Sequence, residues 1–189
     1  MKKNLVTAVL MTIATTILLG IIYPLVVTGL AQVLFHDKAN GQLIAADGKI
    51  IGSRIIGQAF TGPGYFHSRP SAVNYDAANS NGSQLGPTNQ KLIDRVNGNV
   101  ARLRAENPDV PVPVDTVTAS ASGLDPEITP AAAAFQVHRV AIERGTPEAE
   151  IARIVSEHTA GRTWGVLGEP RVNVLELNLA LNAKFGARR

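Results

Sequence analysis

The chain has 189 residues, 45% of them hydrophobic, with 18 Lys and Arg against 15 Asp and Glu and no cysteine. Without thiols, disulfides, thiolate nucleophiles and cysteine-based metal sites are excluded. Four basic side chains, Lys2, Lys3, Arg188 and Arg189, lie at the ends, which leaves 14 basic against 15 acidic groups between them; a near-neutral body with no basic stripe argues against a nucleic-acid partner.

Leu5 to Phe35 contains no charged side chain. As a helix this stretch spans roughly 46 Å, more than the hydrocarbon core of a bilayer, about 30 Å. A cleaved signal has an apolar region of about 7–15 residues. This run is far longer, so it is expected to remain as an anchor, although Gly29 and Ala31 form a small-x-small pair of the cleavage type. The expected organisation is a membrane helix at residues 1–35 and one soluble domain at residues 36–189, a size that buries a core without disulfides.

Charge sets the expected direction. Lys2 and Lys3 precede the helix, whereas His36, Asp37 and Lys38 follow it with little net charge. The positive-inside bias places the N-terminus in the cytoplasm and residues 36–189 outside, on the periplasmic face of the inner membrane. Pro24 and Gly20 lie mid-span, and a kink is expected near Pro24. Thr12, Thr15, Thr16 and Gly20 fall on one helical face. Such a small, hydroxylated face suits docking on a partner helix; the alternative is that the hydroxyls bond their own backbone carbonyls and face lipid.

Beyond the anchor, Gln42 to Gly52 predicts a hairpin, with Asp47-Gly48 in the positive-φ positions of an I′ turn. Arg54 to Gly57 is expected to extend that sheet. Residues 57–88 are rich in Gly, Asn, Ser and Pro and have no apolar period. A loop of that length is either functional or disordered, and Tyr65, Phe66 and Tyr75 argue against disorder.

Thr88 or Asn89 is expected to cap a helix with Leu92, Ile93, Val96, Val100 and Leu103 as its stripe, ended by Pro108. Pro108, Pro111 and Pro113 predict an extended segment to Thr118. Thr129-Pro130 starts a second helix, which Gly145 ends. Thr146-Pro147 starts a third in the same way, with Ile151, Ile154, Val155 and His158 on one face. Asn173 caps a fourth, with Val174, Leu177, Leu181 and Phe185. The fold class is α+β: one transmembrane helix, then a soluble domain with an early hairpin followed by about four helices.

The common catalytic constellations are absent. There is no P-loop, no HExxH and no GxSxG. His36, His67, His138 and His158 have no paired ligand spacing, so no metal site is expected. A serine working with Asp115 or Asp125 would make an extracytoplasmic hydrolase, but no nucleophile motif supports one. Two stretches, Tyr65 to Asn89 and Pro111 to Val140, gather aromatic, Arg and Asp groups among turn residues, as binding loops do. Turn stabilisation by the same Ser, Asn and Asp side chains is the competing explanation. Arg69 is the sole basic group in the first stretch. Its guanidinium suits either internal pinning of the loop or contact with a partner.

Several long motifs, in order, carry a resemblance. GQAFTGPGYFHSRPSAVNYDA, SNGSQLGPTN, VPVDTVTASASGLDPEITPAAA and GEPRVNVLELNLAL, together with the N-terminal helix, resemble the C chain of the Kdp potassium-transporting ATPases. The likeness covers essentially the whole chain. It implies an accessory subunit without ATPase activity of its own. Its implied partners are a channel-like potassium-translocating subunit, a P-type ATPase subunit and a small single-helix subunit. It also implies a catalytic chaperone that raises the ATPase subunit's affinity for ATP, with its soluble domain over the extracytoplasmic side of the channel-like subunit.

The resemblance further implies a direct nucleotide-binding regulator, through likeness to the transporter signature LSGGQ. The corresponding residues are Ser80, Asn81, Gly82, Ser83 and Gln84. Ser83 stands where the signature has its second glycine, which weakens a phosphate-cradling turn. The charge at Lys2 and Lys3 also places the domain away from cytoplasmic ATP. The expectation is therefore no cofactor read from the residues themselves, ATP only through the resemblance, and action by contact.

Overall fold

Nothing interrupts helical hydrogen bonding after Met1 until Pro24, whose ring nitrogen cannot donate to the carbonyl of Gly20. The computed structural model, which describes residues 1–46 and 48–187, answers this with a wider turn. Helix α1 (Lys2–Thr15) passes into a π-helical segment (Thr16–Ile22) and then into α2 (Tyr23–Leu34). The expected disturbance near Pro24 is thus a π-helical stretch just before it, one of the known responses to a broken ladder. Together these segments make a 33-residue apolar helix, the one candidate membrane span among the described residues. At 1.5 Å per residue it is about 50 Å long. A short helix, α3 (His36–Ala39), follows; the Asn40 and Gln32 amides exchange two hydrogen bonds, 3.1 and 3.2 Å, beside it. These elements form the first of two units, Met1–Leu43.

The second unit, Ile44–Arg189, is the soluble region. Strand β1 (Leu43–Ala46) pairs with β2 (Lys49–Ser53) in the expected hairpin. Asp47, half of the expected turn, lies outside the described residues; Gly48 has φ +74°. Arg54 to Gly57 does not extend the sheet. Ser53 Oγ accepts the Ile55 N–H at 3.3 Å and the Ser53 carbonyl accepts the Ile56 N–H at 3.3 Å, so a local turn captures the chain.

Four helices follow, as expected: α4 (Gln90–Glu106), α5 (Pro130–Arg144), α6 (Glu148–Glu157) and α7 (Val174–Phe185). Asn89, Thr129 and Asn173 cap α4, α5 and α7 by accepting backbone N–H bonds from Lys91, Ala132 and Glu176. Gly145 closes α5 in the left-handed region at φ +63°. At α6 the expectation is off by one residue: Pro147 is the N-cap, and the Thr146 hydroxyl binds the Glu150 carboxylate at 2.9 Å. Residues 108–118 are not wholly extended either. Once past Pro113 the chain makes a 3₁₀ turn (Val114–Thr116), tied by the Thr116 hydroxyl to the Pro113 carbonyl at 2.6 Å.

A second sheet was not legible in the sequence. Strands β3 (Glu127–Ile128), β4 (Thr159–Ala160) and β5 (Arg171–Asn173) pair antiparallel in the order β3-β5-β4. Each is two or three residues long, too short to show a period of two. Val172 at its centre is fully buried and joins Ile128, Val140, Ile151, Leu177 and Leu181 in the main core. The α4 stripe packs separately: Leu103 meets Val117 and Phe135, with Val96 and Val100 at the margin.

Candidate functional site

Residues 57–89 contain neither helix nor strand, yet they are held in place. A backbone that forgoes secondary structure must find other hydrogen-bond partners when buried. Here they come from side chains of α5 and α7. Phe66 is fully buried in the main core, and the Asn178 side chain brackets its peptide: Oδ1 accepts the Phe66 N–H and Nδ2 donates to the Phe66 carbonyl, both at 2.9 Å. Gln136 does the same for His67, at 2.8 and 3.1 Å. Arg144 Nε donates to the Gly64 carbonyl at 2.7 Å, and its guanidinium lies 5.1 Å from the centre of the Tyr65 ring. Two amides therefore act as substitute sheet partners for consecutive residues. The pattern NLALN and AFQVHRV contained these side chains, but nothing in it told a buried amide from a solvated one.

Arg69 occupies the far end of this clamped segment. Its Nη1 donates to Asp125 Oδ2 at 3.1 Å and its Nη2 reaches the Ala119 carbonyl at 3.4 Å, while Nε is buried without an acceptor. The carbonyl of Arg69 accepts the Tyr75 hydroxyl. Burial first, and the Asp125 charge second, push the Tyr75 phenol up to about 12. Internal pinning of the loop, one of the two roles expected of Arg69, is what this geometry displays.

The residues 80–84 lie against the turn at 119–123. Ser80 Oγ donates to the Ser122 carbonyl at 3.1 Å. A Cβ on Gly82 would sit 2.8 Å from the Ala121 carbonyl oxygen, and one on Gly123 would meet Val73 and Asn81. Gly82 is thus accounted for by close approach of two backbones. Gln84, at φ +53°, donates from Nε2 to Asn81 Oδ1 at 3.0 Å. Ser80, Gly82 and Gln84 lie on an irregular stretch set against that turn, with Ser80 and Gln84 exposed, and Ser83 adds no hydrogen bond to it among those described.

Asp115 and Asp125, considered above with a serine, have structural partners. Asp115 accepts both the N–H and the hydroxyl of Thr129, at 2.8 and 3.1 Å, at the start of α5. Asp125 accepts from Arg69 and from the Glu127 N–H at 3.1 Å. A cavity of about 220 Å³ lies beside the clamped loop, lined by His67, Ser68, Arg102, Glu106 and Arg139 among others. Burial, then the Arg139 charge, hold the His67 imidazole below its ordinary value. Its Nε2 lies 3.1 Å from the Gly62 carbonyl, so that nitrogen carries the proton.

In the apolar N-terminal helix, Thr12 and Thr15 donate to the carbonyls of Ala8 and Met11, each at 2.8 Å. A Cβ on Gly20 would lie 3.8 Å from Thr16 Cγ2, so the two remain neighbours across the π-helical segment. The hydroxyls of Thr12 and Thr15 are satisfied within the helix, and this face offers a neighbour their methyl groups, Thr16 and the Gly20 backbone.

Comparison with known proteins gives one consistent result. The family model described as K+-transporting ATPase, c chain (KdpC) matches residues 5–183. The chain is 65% identical over 184 residues to the potassium-transporting ATPase KdpC subunit of Koribacter versatilis (strain Ellin345), covering 96% of this chain and 95% of that protein. It is 52% identical to the KdpC subunit of Methylobacterium nodulans (strain LMG 21967 / CNCM I-2342 / ORS 2060), covering 98% and 100%. It is 53% identical to that of Rhodopseudomonas palustris (strain BisB18), covering 97% and 99%.

Proposed function

The chain belongs to the family of the c chain of the K+-transporting ATPase, KdpC, and from that premise we propose that it acts as a non-catalytic accessory subunit. In this reading the helix of α1, the π-helical segment and α2 holds the chain in the inner membrane. Residues 36–189 then stand on the periplasmic side as one domain, in keeping with Lys2 and Lys3. The chain assembles with the channel-like, ATPase and small single-helix subunits and supports ATP-coupled potassium import.

The observation that carries this reading is how the soluble region uses its functional-looking residues. Arg69, Asp115, Asp125, Gln136 and Asn178 hold loops in shape. Gly82, which a phosphate-cradling turn would need open, is committed to contact with Ala121. Rigid loops built this way suit recognition of a partner surface. Any effect on the ATPase subunit's use of ATP then travels through the assembled complex, and no cofactor is required of this chain.

The test is deletion of residues 44–189 from a chain co-expressed with the rest of the transporter. Loss of potassium-dependent ATP hydrolysis, with the helix still co-purifying, is the expected result. Undiminished hydrolysis at unchanged ATP dependence would remove the soluble region from the mechanism. Labelled ATP bound by the purified full chain would instead favour direct regulation through Ser80, Gly82, Ser83 and Gln84.

A further inference from the structure

Between β4 and β5 the chain leaves the sheet and folds back on itself at residues 161–170. The Thr163 N–H donates to the Leu167 carbonyl at 2.8 Å, and the Leu167 N–H donates back at 3.0 Å. Arg162 Nη2 closes the base of this small hairpin by binding both carboxylate oxygens of Glu169, at 2.9 and 2.8 Å. At its tip Trp164 and Gly165 have φ values of +55° and +79°. Glycine takes that conformation freely, whereas a bulky side chain there is an outlier. Asn or Asp would make the same turn without strain. The chain's single tryptophan occupies it instead, 86% exposed, with Val166 at 72% and Leu167 at 53%.

A strained, pinned turn that presents three large apolar side chains to water does nothing for the core of this chain. Strain of this kind persists where function uses it. Tryptophan is enriched among the anchors of protein interfaces, and a turn fixed before binding loses little entropy on docking. Charge separates the two surfaces such a tip could meet. Elements that enter a lipid surface bring Lys or Arg for anionic headgroups. Residues 161–170 carry no lysine, and the one arginine before the tip is neutralised by Glu169.

We propose that the hairpin at residues 161–170 is a docking knob, with Trp164 seated in an apolar pocket on another subunit of the same potassium-transporting ATPase. The inference rests on the accessory-subunit reading above and adds the contact surface to it. The pocket has the chemistry of an indole site: an apolar cleft with one acceptor for the ring N–H.

The test uses the intact transporter. A photo-reactive benzophenone residue replaces Val166, and membranes are irradiated before the complex is purified. The expected product is an adduct between this chain and another subunit. In a second arm, Trp164→Ser should speed loss of the chain from the solubilised complex about tenfold, the scale of one interface anchor, with an unchanged melting temperature of the free chain. In a third arm, the full chain in nanodiscs of brominated lipid should keep its tryptophan emission. Co-purification with no subunit adduct from position 166, an adduct with a second copy of the chain, or quenching by the brominated lipid would overturn the docking knob and leave the accessory reading intact. Failure of the wild-type chain to co-purify at all would overturn the accessory reading, and the knob with it.

Discussion

Arg69 and Asp125 meet at 3.1 Å across 56 residues of sequence. Their contact joins the long irregular segment before α4 to the turn that leads into β3. The guanidinium fork is divided, with one nitrogen on a carboxylate and another on the Ala119 carbonyl. A lysine at that position keeps the charge but cannot span both acceptors.

Arg69→Lys is therefore expected to lower stability by about 1 kcal/mol, the value of one lost hydrogen bond beside a partly exposed ion pair. In a domain of this size that is a fall of about 2–4 °C in melting temperature. Thermal unfolding of the full chain in detergent measures it. A variant that melts with the wild type, and supports potassium uptake at wild-type affinity, would deny Arg69 both its pinning and its partner role.

Asn178→Ala should be more severe. Asn178 is fully buried, and its loss strands both the N–H and the carbonyl of Phe66. Each buried group left unsatisfied costs about 1–3 kcal/mol. Limited proteolysis is the sharper measurement, because residues 57–89 have no ladder of their own to fall back on. Cleavage within that segment should accelerate well before α5 is attacked. Equal cleavage rates would show that the amide clamp does not hold the loop.

Tyr75 supplies a pH signature. Its phenol is raised to about 12 in the folded chain, against about 10 for an unfolded tyrosine. The folded state therefore binds this proton more tightly, so its stabilising contribution is complete below pH 10 and is lost as pH rises towards 12. A tyrosine step near pH 12 is expected in ultraviolet absorbance, and Tyr75→Phe should remove it. A late step that survives the substitution would place the raised phenol elsewhere.

Gly82 and Gln84 should part company. Gly82→Ala forces a methyl to within 2.8 Å of the Ala121 carbonyl oxygen and should destabilise by about 1–3 kcal/mol, as overpacking does. Gln84→Ala loses a single exposed hydrogen bond to Asn81 and should leave the fold and the ATP dependence of the complex unchanged. Titration of ATP against hydrolysis rate reads the second point. A large rise in the ATP concentration required by the Gln84→Ala complex, with assembly intact, would favour a nucleotide site.

Gly20→Leu tests the membrane face. Within the helix a Cβ added at this position would lie 3.8 Å from Thr16 Cγ2, an ordinary contact, so the first atom of the new side chain finds room there. Reduced co-purification with the other subunits is expected at normal expression. Unchanged assembly would assign the threonine face to lipid.

Features that depend on neighbours a few residues apart can be read along the chain before it folds. The charge-free run from Leu5 to Phe35 specifies a membrane-length helix, because apolar length is additive along one chain. Asn89, Thr129 and Asn173 mark helix starts, because a cap binds an N–H two or three residues on. The family was legible too, from long ordered motifs.

Tertiary structure alone decided which polar side chains became architecture. Asn178 reaches Phe66 across 112 residues, and Gln136 reaches His67 across 69. No local period encodes such pairs, since a buried amide and a solvated one read the same until the helices pack. The three short strands became a sheet for the same reason: two or three residues pair only when the core brings Val172 between Ile128 and Thr159. Trp164 shows the converse. Its residue type alone suggests a core position, but two positive φ angles and the Arg162–Glu169 clasp turn it out to solvent, because the backbone of a tight turn fixes where its side chains point before hydrophobicity can choose.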